Sequence, residues 1–242
     1  TFNYITTSYT WCESVWSVIG MDVNYFWNPE SKEIYFDQYD WSSKVKDFLE
    51  MGVDKIEKIS FEPIDLSKYL NINLEKGILE ETKGVVLPEK ISFQKIPFII
   101  QKNSGVILRP GNEISIEIDK KCKYLYFLHL STLPMSIDAY YSPIISLKKP
   151  KIGNYKIIYK DGTSVDIPII NRLNIIHWNS RFSPYFCRVA YQTKDIDRNL
   201  FRVFFYKFKN PYPEKKIDKI EIAYIENEEK SLPIILGLTA GL

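Results

Sequence analysis

Two runs of strand-forming residues, Tyr155-Lys156-Ile157-Ile158-Tyr159-Lys160 and Thr163-Ser164-Val165-Asp166-Ile167, face each other across Asp161-Gly162. An Asp-Gly pair between such runs supplies the positive φ values of a type I′ turn, so an antiparallel hairpin is expected here. A hairpin with one apolar face needs a second layer to cover it. The rest of the chain offers the material. Glu113-Ile114-Ser115-Ile116-Glu117-Ile118-Asp119 alternates strictly, as a strand with one wet face does. Tyr124-Leu125-Tyr126-Phe127-Leu128-His129-Leu130 is apolar throughout except for its histidine, as a strand buried on both faces would be. Residues 202–209, 217–224 and 233–239 read as three further strands, the first two separated by the turn Asn210-Pro211-Tyr212-Pro213. The expected fold class is therefore mainly β: an antiparallel β-sandwich of jelly-roll type over residues 58–242.

Composition agrees. Among 242 residues there are 17 Tyr and 14 Phe but only four Ala, a balance that favours strands over helices. Hydrophobic residues at 45 % and charged residues at 26 % exclude disorder and collagen-like structure. No stretch approaches the ~20 continuous apolar residues of a membrane helix, so no bilayer span is expected. Thirty-two basic against 30 acidic residues leave a net charge of +2, too little for a general pull on nucleic acid or anionic lipid.

Residues 1–57 read differently. They hold four of the five Trp, namely Trp11, Trp16, Trp27 and Trp41. A strand is expected over residues 4–11. A helix is expected over residues 41–51, where Val45, Phe48 and Leu49 share a face, a Ser stands at the start and Gly52 follows the end. One strand, one loop and one helix enclose no core of their own, so this small α/β segment is expected to pack on something larger. The first residue is Thr, not Met, which points to an initiator, a signal peptide or a longer upstream chain removed.

Chemical motifs are sparse. There is no GxGxxG, Walker loop or GxSxG elbow. Cys12, Cys122 and Cys187 are far apart and the only histidines are His129 and His177, so neither a zinc site nor a disulfide scaffold is expected. His129, midway along the most apolar strand, reads as a core histidine bonded to backbone. His177-Trp178-Asn179 could form a sugar site, with the ring to stack on C–H faces and imidazole and amide to orient hydroxyls; it reads equally as the edge of a core. Tyr140 and Tyr141 in the preceding loop are further candidates for sugar contact. Glu13, in Trp11-Cys12-Glu13-Ser14-Val15-Trp16, is a carboxylate flanked by aromatics, the setting in which glycoside hydrolases present an acid. Such hydrolysis needs a second carboxylate, and Asp22, Asp37 and Asp40 are not distinguished from one another; packing by the tryptophans competes with this reading. Asp138, Asp161 and Asp166 could ligate Ca²⁺, but no EF-hand spacing supports it and solvated turns are favoured, so no cofactor is expected.

From residue 84 to the end, the order of motifs resembles the galactose-binding-like β-sandwich appended to bacterial and archaeal glycoside hydrolases. The matching pieces are Gly84-Val85-Val86-Leu87-Pro88 with Ile96-Pro97-Phe98, then Leu125-Tyr126-Phe127-Leu128-His129, and then Gly153-Asn154-Tyr155 through Tyr159-Lys160-Asp161-Gly162-Thr163. Ile167-Pro168, Asn174 to Trp178, and Asn210-Pro211-Tyr212-Pro213 with Lys216-Ile217 follow, before a strand ending Leu238-Thr239. Phe208 stands where the family tends to have Trp, and Gln94-Lys95 replaces small residues. Residues 1–57, through Tyr25-Phe26-Trp27-Asn28-Pro29, resemble the end of a hydrolase TIM barrel. The resemblance implies an accessory module of a carbohydrate-active protein, binding glycan weakly or bracing a glycoside hydrolase catalytic domain. Its partners would be carbohydrate or that domain, with no nucleic acid and no membrane span. A different reading is a cell-surface or virion subunit built on a jelly roll, since fold does not decide function.

Overall fold

The computed structural model describes residues 59–78, 83–132, 150–180, 183–184, 186–227 and 230–242, and the backbone of four residues upstream. The chain divides into two compact units, Thr1–Glu57 and Lys58–Leu242. In the first, β1 (Trp27–Asn28) pairs antiparallel with β2 (Glu33–Ile34). The strand expected over residues 4–11 and the helix expected over 41–51 lie outside the described residues.

The second unit is an antiparallel β-sandwich, compatible with a jelly roll. One layer has four strands in the order β11 (Ser164–Ile170), β10 (Lys151–Tyr159), β14 (Lys216–Tyr224), β8 (Glu113–Lys121). The other runs β12 (Cys187–Lys194), β13 (Leu200–Lys209), β9 (Tyr124–Ser131), β15 (Pro233–Gly241), β7 (Ser104–Ile107), β4 (Ile72–Asn73), with β3 (Phe61–Pro63) also paired to β15. Every strand expected between residues 113 and 239 is present at its expected place. β12, which carries no clean alternation, is an addition.

Period-2 patterning explains the layers. On the inner face of the small sheet, Tyr155, Ile157, Ile167, Ile220, Ile222 and Ile116 are all buried. Its outer face carries Lys156 opposite Asp166 and Glu221, and Lys219 opposite Glu117, opposite charges set side by side across strands. The ring of Tyr155 reaches across to the larger sheet and stacks on Phe127, with centroids 4.6 Å apart.

The larger sheet has no wet face at its centre, because a third layer covers its back. The hairpin of β5 (Lys90–Phe93) and β6 (Ile96–Ile99) sets Phe93 and Phe98 against Phe205 of β13, with centroids 4.8 and 6.2 Å away. Tyr126 of β9 stacks on the same Phe205, and Thr239 donates its hydroxyl to the Pro97 carbonyl at 2.6 Å. Phe208, one of the two departures from the pattern of the resembled family, is buried in β13; it is no surface platform.

One turn differs from the sequence reading, and another, not expected from the sequence, carries the geometry assigned to it. At 159–163 the loop has three residues: the Gly162 N–H donates to the Tyr159 carbonyl and the Tyr159 N–H to the Thr163 carbonyl, and of Lys160, Asp161 and Gly162 only the glycine has a positive φ, +84°. This is a turn with a glycine bulge, not type I′; the Asp161 carboxylate bonds Thr163 instead of sitting left-handed. The two-residue turn with both φ values positive is at Gln94 (50°) and Lys95 (66°), in the β5–β6 hairpin. Neither residue advertises it, which is why small residues suit that position better.

Candidate functional site

His177-Trp178-Asn179 lies in the 171–180 segment after β11, sewn to the end of β9. The Trp178 N–H donates to the Ser131 carbonyl, the Ser131 N–H to the Ile176 carbonyl, and the Arg202 N–H to the Trp178 carbonyl. These bonds draw the indole inward. Trp178 is 1 % exposed, with its ring stacked on Phe201 at 5.9 Å, and His177 is buried beside it; Asn179 is half-buried. A pyranose stacks on an open ring face, and the Trp178 indole presents none. Burial holds the His177 pKa down to about 4, helped by the nearby Arg172 charge. Tyr140, Tyr141, Glu13 and Asp138 lie outside the described residues.

What the fold does bring together is a chain of three side chains that are far apart in sequence. His129 is wholly buried; its Nδ1 is 2.9 Å from the Tyr155 hydroxyl and its Nε2 is 3.5 Å from Cys187 Sγ. The Cys187 thiol in turn donates to the Asn174 carbonyl at 2.9 Å. The His129 ring also stacks on Tyr206 of β13 and lies parallel to Tyr155. A cysteine beside a histidine is the raw material of nucleophilic catalysis, but that chemistry needs a thiolate and access to substrate. Here burial drives the Cys187 thiol pKa far up, against the small opposing pull of Arg188, and drives His129 down to about 3, against a bond to the Asn174 backbone. Both groups are neutral at pH 7 and enclosed, so the chain is a satisfied core network. The expectation of a core histidine bonded to backbone holds, and the Tyr155 and Cys187 side chains are its further partners. Cys187 escaped the sequence reading because its pairing with His129 is made by the sheet order β12-β13-β9.

A second cluster sits on the surface where the β10–β11 and β13–β14 turns meet. Buried Asn210 donates its amide to the Cys122 and Tyr212 carbonyls and accepts from the Tyr212 N–H and the Tyr159 hydroxyl, which locks the Asn-Pro turn. Lys215 Nζ lies 2.8 Å from Asp161 and 4.8 Å from the centroid of the Tyr212 ring, which is 41 % exposed and meets Tyr159 edge-on. Hydrogen bonds from Lys215 and then from Thr163 hold the Asp161 carboxyl well below the usual carboxylate range. Asp166 accepts from Asn154. Of the three aspartates considered for Ca²⁺, the two described ones, Asp161 and Asp166, are thus engaged by protein groups, and among the described residues no group of three or more His, Cys, Asp or Glu could hold a metal ion. Among the same residues no helix is long and apolar enough to cross a membrane.

No protein-family model matches the chain, and no curated protein matches it either.

Proposed function

We propose that this chain is the β-sandwich portion of a carbohydrate-active protein and that its work is to brace a catalytic domain, not to stack on sugar. The observation that carries the reading is the use made of the family-like residues. His129 sits in the interior, Gly162 shapes a turn, Asn210 locks a second turn, and Trp178 is 1 % exposed. Each supports the framework, and the titratable cluster at its centre is neutral and closed. The order of motifs from residue 84 to 239 supports the association with carbohydrate-active proteins; the buried indole favours bracing over glycan binding.

The test joins two measurements on the protein from its own source: native against denaturing mass, and affinity electrophoresis through soluble glycans. A catalytic segment or chain accompanying this one, with no glycan retardation, is the expected result. Retardation that Trp178→Ala abolishes with the fold intact would instead restore the sugar site at 177–179. A homo-oligomer or filament without glycan affinity would overturn the reading in favour of a structural subunit.

A further inference from the structure

His129 and Tyr155 belong to different layers: the histidine to β9 of the larger sheet, the tyrosine to β10 of the smaller. Their 2.9 Å hydrogen bond therefore ties the two sheets together through the core. The tautomer follows from the partners. The Cys187 proton is committed to the Asn174 carbonyl, so its sulfur can only accept from His129 Nε2. The neutral imidazole thus carries its proton on Nε2, and Nδ1 holds the lone pair that receives the Tyr155 O–H.

We propose that the Tyr155–His129–Cys187 chain is an acid-sensitive latch between the two sheets, weakened when His129 takes up a proton and a charge is left inside it. The incoming proton must bind Nδ1, the one site with a lone pair, so the Tyr155 hydroxyl must turn its own proton away and accept from the new N–H. The hydrogen bond between the sheets changes direction, the Tyr155 proton must find another acceptor, and a positive charge is left in the core. Beyond the Asn174 carbonyl, a neutral acceptor, the groups around it do not compensate. Facing His129 are Tyr155 from β10, Tyr206 from β13 and Cys187 from β12, while its register partners are Phe204 from β13 and Ile235 from β15. The ionisable ones among these are neutral in acid, and none is a carboxylate. The charged group at hand, Arg188 beside Cys187, is itself a cation. An unpaired buried charge of this kind is among the costliest things a core can hold.

The sign of the effect follows from linkage. Burial holds the folded pKa of His129 near 3, whereas an unfolded histidine titrates at about 6.5. The unfolded chain therefore binds the proton first, and stability that is complete above pH 6.5 is lost as the pH falls toward 3. One such group raises the unfolding constant by up to about tenfold per pH unit in that window. His177, likewise buried and depressed to about 4, adds a second factor of up to about tenfold.

Urea unfolding of the full chain between pH 7.5 and 5.5, above the main carboxylate range, separates the two. The wild-type unfolding constant should rise by up to about a hundredfold per pH unit below 6.5, and that of His129→Gln by up to about tenfold, since the glutamine amide oxygen still accepts from Tyr155 without titrating. Equal slopes for the two proteins would overturn the latch. Should His129→Gln not fold, ring-nitrogen NMR of the wild type decides. A His129 that stays a neutral Nε2–H imidazole to pH 4.5 in the folded state sustains the proposal, and one that protonates near pH 6.5 while the fold persists defeats it.

Discussion

The two sheets of the sandwich solve the same problem in opposite ways. The four-stranded sheet spends every second residue on water: Lys156, Asp166, Glu221, Lys219 and Glu117 form a charged lattice outside, and isoleucines and tyrosines fill the inside. The seven-stranded sheet buries both faces along β9 and β15, with the small sheet on one side and the β5–β6 hairpin on the other. The first arrangement makes each outward residue nearly independent of its neighbours. The second couples residues of three layers, so that one side chain such as Phe205 touches Phe93, Phe98 and Tyr126 at once. Sensitivity to substitution should be concentrated accordingly.

Phe205→Ala should show the largest effect. It removes the ring on which the third layer rests, at a cost of about 3–5 kcal/mol, while Lys156→Ala on the wet face should stay within about 0.5 kcal/mol. Urea midpoints of the two variants compare the sheets directly, and equal losses would break the contrast. Gly153→Ala comes next. A Cβ there would lie 2.9 Å from the Ala223 carbonyl of the neighbouring strand, so overpacking of about 1–3 kcal/mol is expected even in the more tolerant sheet. Thermal unfolding reads this loss, and an unchanged midpoint would mean that β10 shifts freely at its bulge. The smallest change should be a gain. Replacing Gln94-Lys95 by Asn-Gly relieves two left-handed side-chain-bearing residues and should stabilise the covering hairpin by about 1 kcal/mol. Slower hydrogen exchange at the β5–β6 amides would register it.

The same contrast explains what could be read in advance. Residues 113–119 announced a strand because one of its faces is wet, and residues 124–130 announced a buried one because neither is. The hairpin around Asp161-Gly162 was legible from local chemistry, although its turn type was not, because the aspartate found Thr163 as a partner. The third layer was hidden: a turn made of Gln94 and Lys95 sends no glycine signal. The candidate site suffered most. A polar–aromatic triplet such as His177-Trp178-Asn179 looks the same whether its indole faces solvent or Phe201, and only the backbone bonds to Ser131 and Arg202 decide between them. The meeting of His129 with Cys187 depends on strand order in a sheet, a non-local property that no window of sequence contains.

The placement of β15 bears on how the molecule comes into being. This strand lies in the middle of the larger sheet, with β9 on one side and β7 and β3 on the other. A polypeptide is made from its N-terminal end, so β3, β7 and β9 are synthesised long before the strand that joins them. Until residues 233–241 have left the ribosome, the edges of β3, β7 and β9 that face β15 have no native partner. Closure of the sheet must then await the last strand of the unit and pair segments from its opposite ends, which favours slow folding and a period of vulnerability to aggregation. Until that strand is made, the unit should therefore lean on chaperones, whatever stability it attains afterwards.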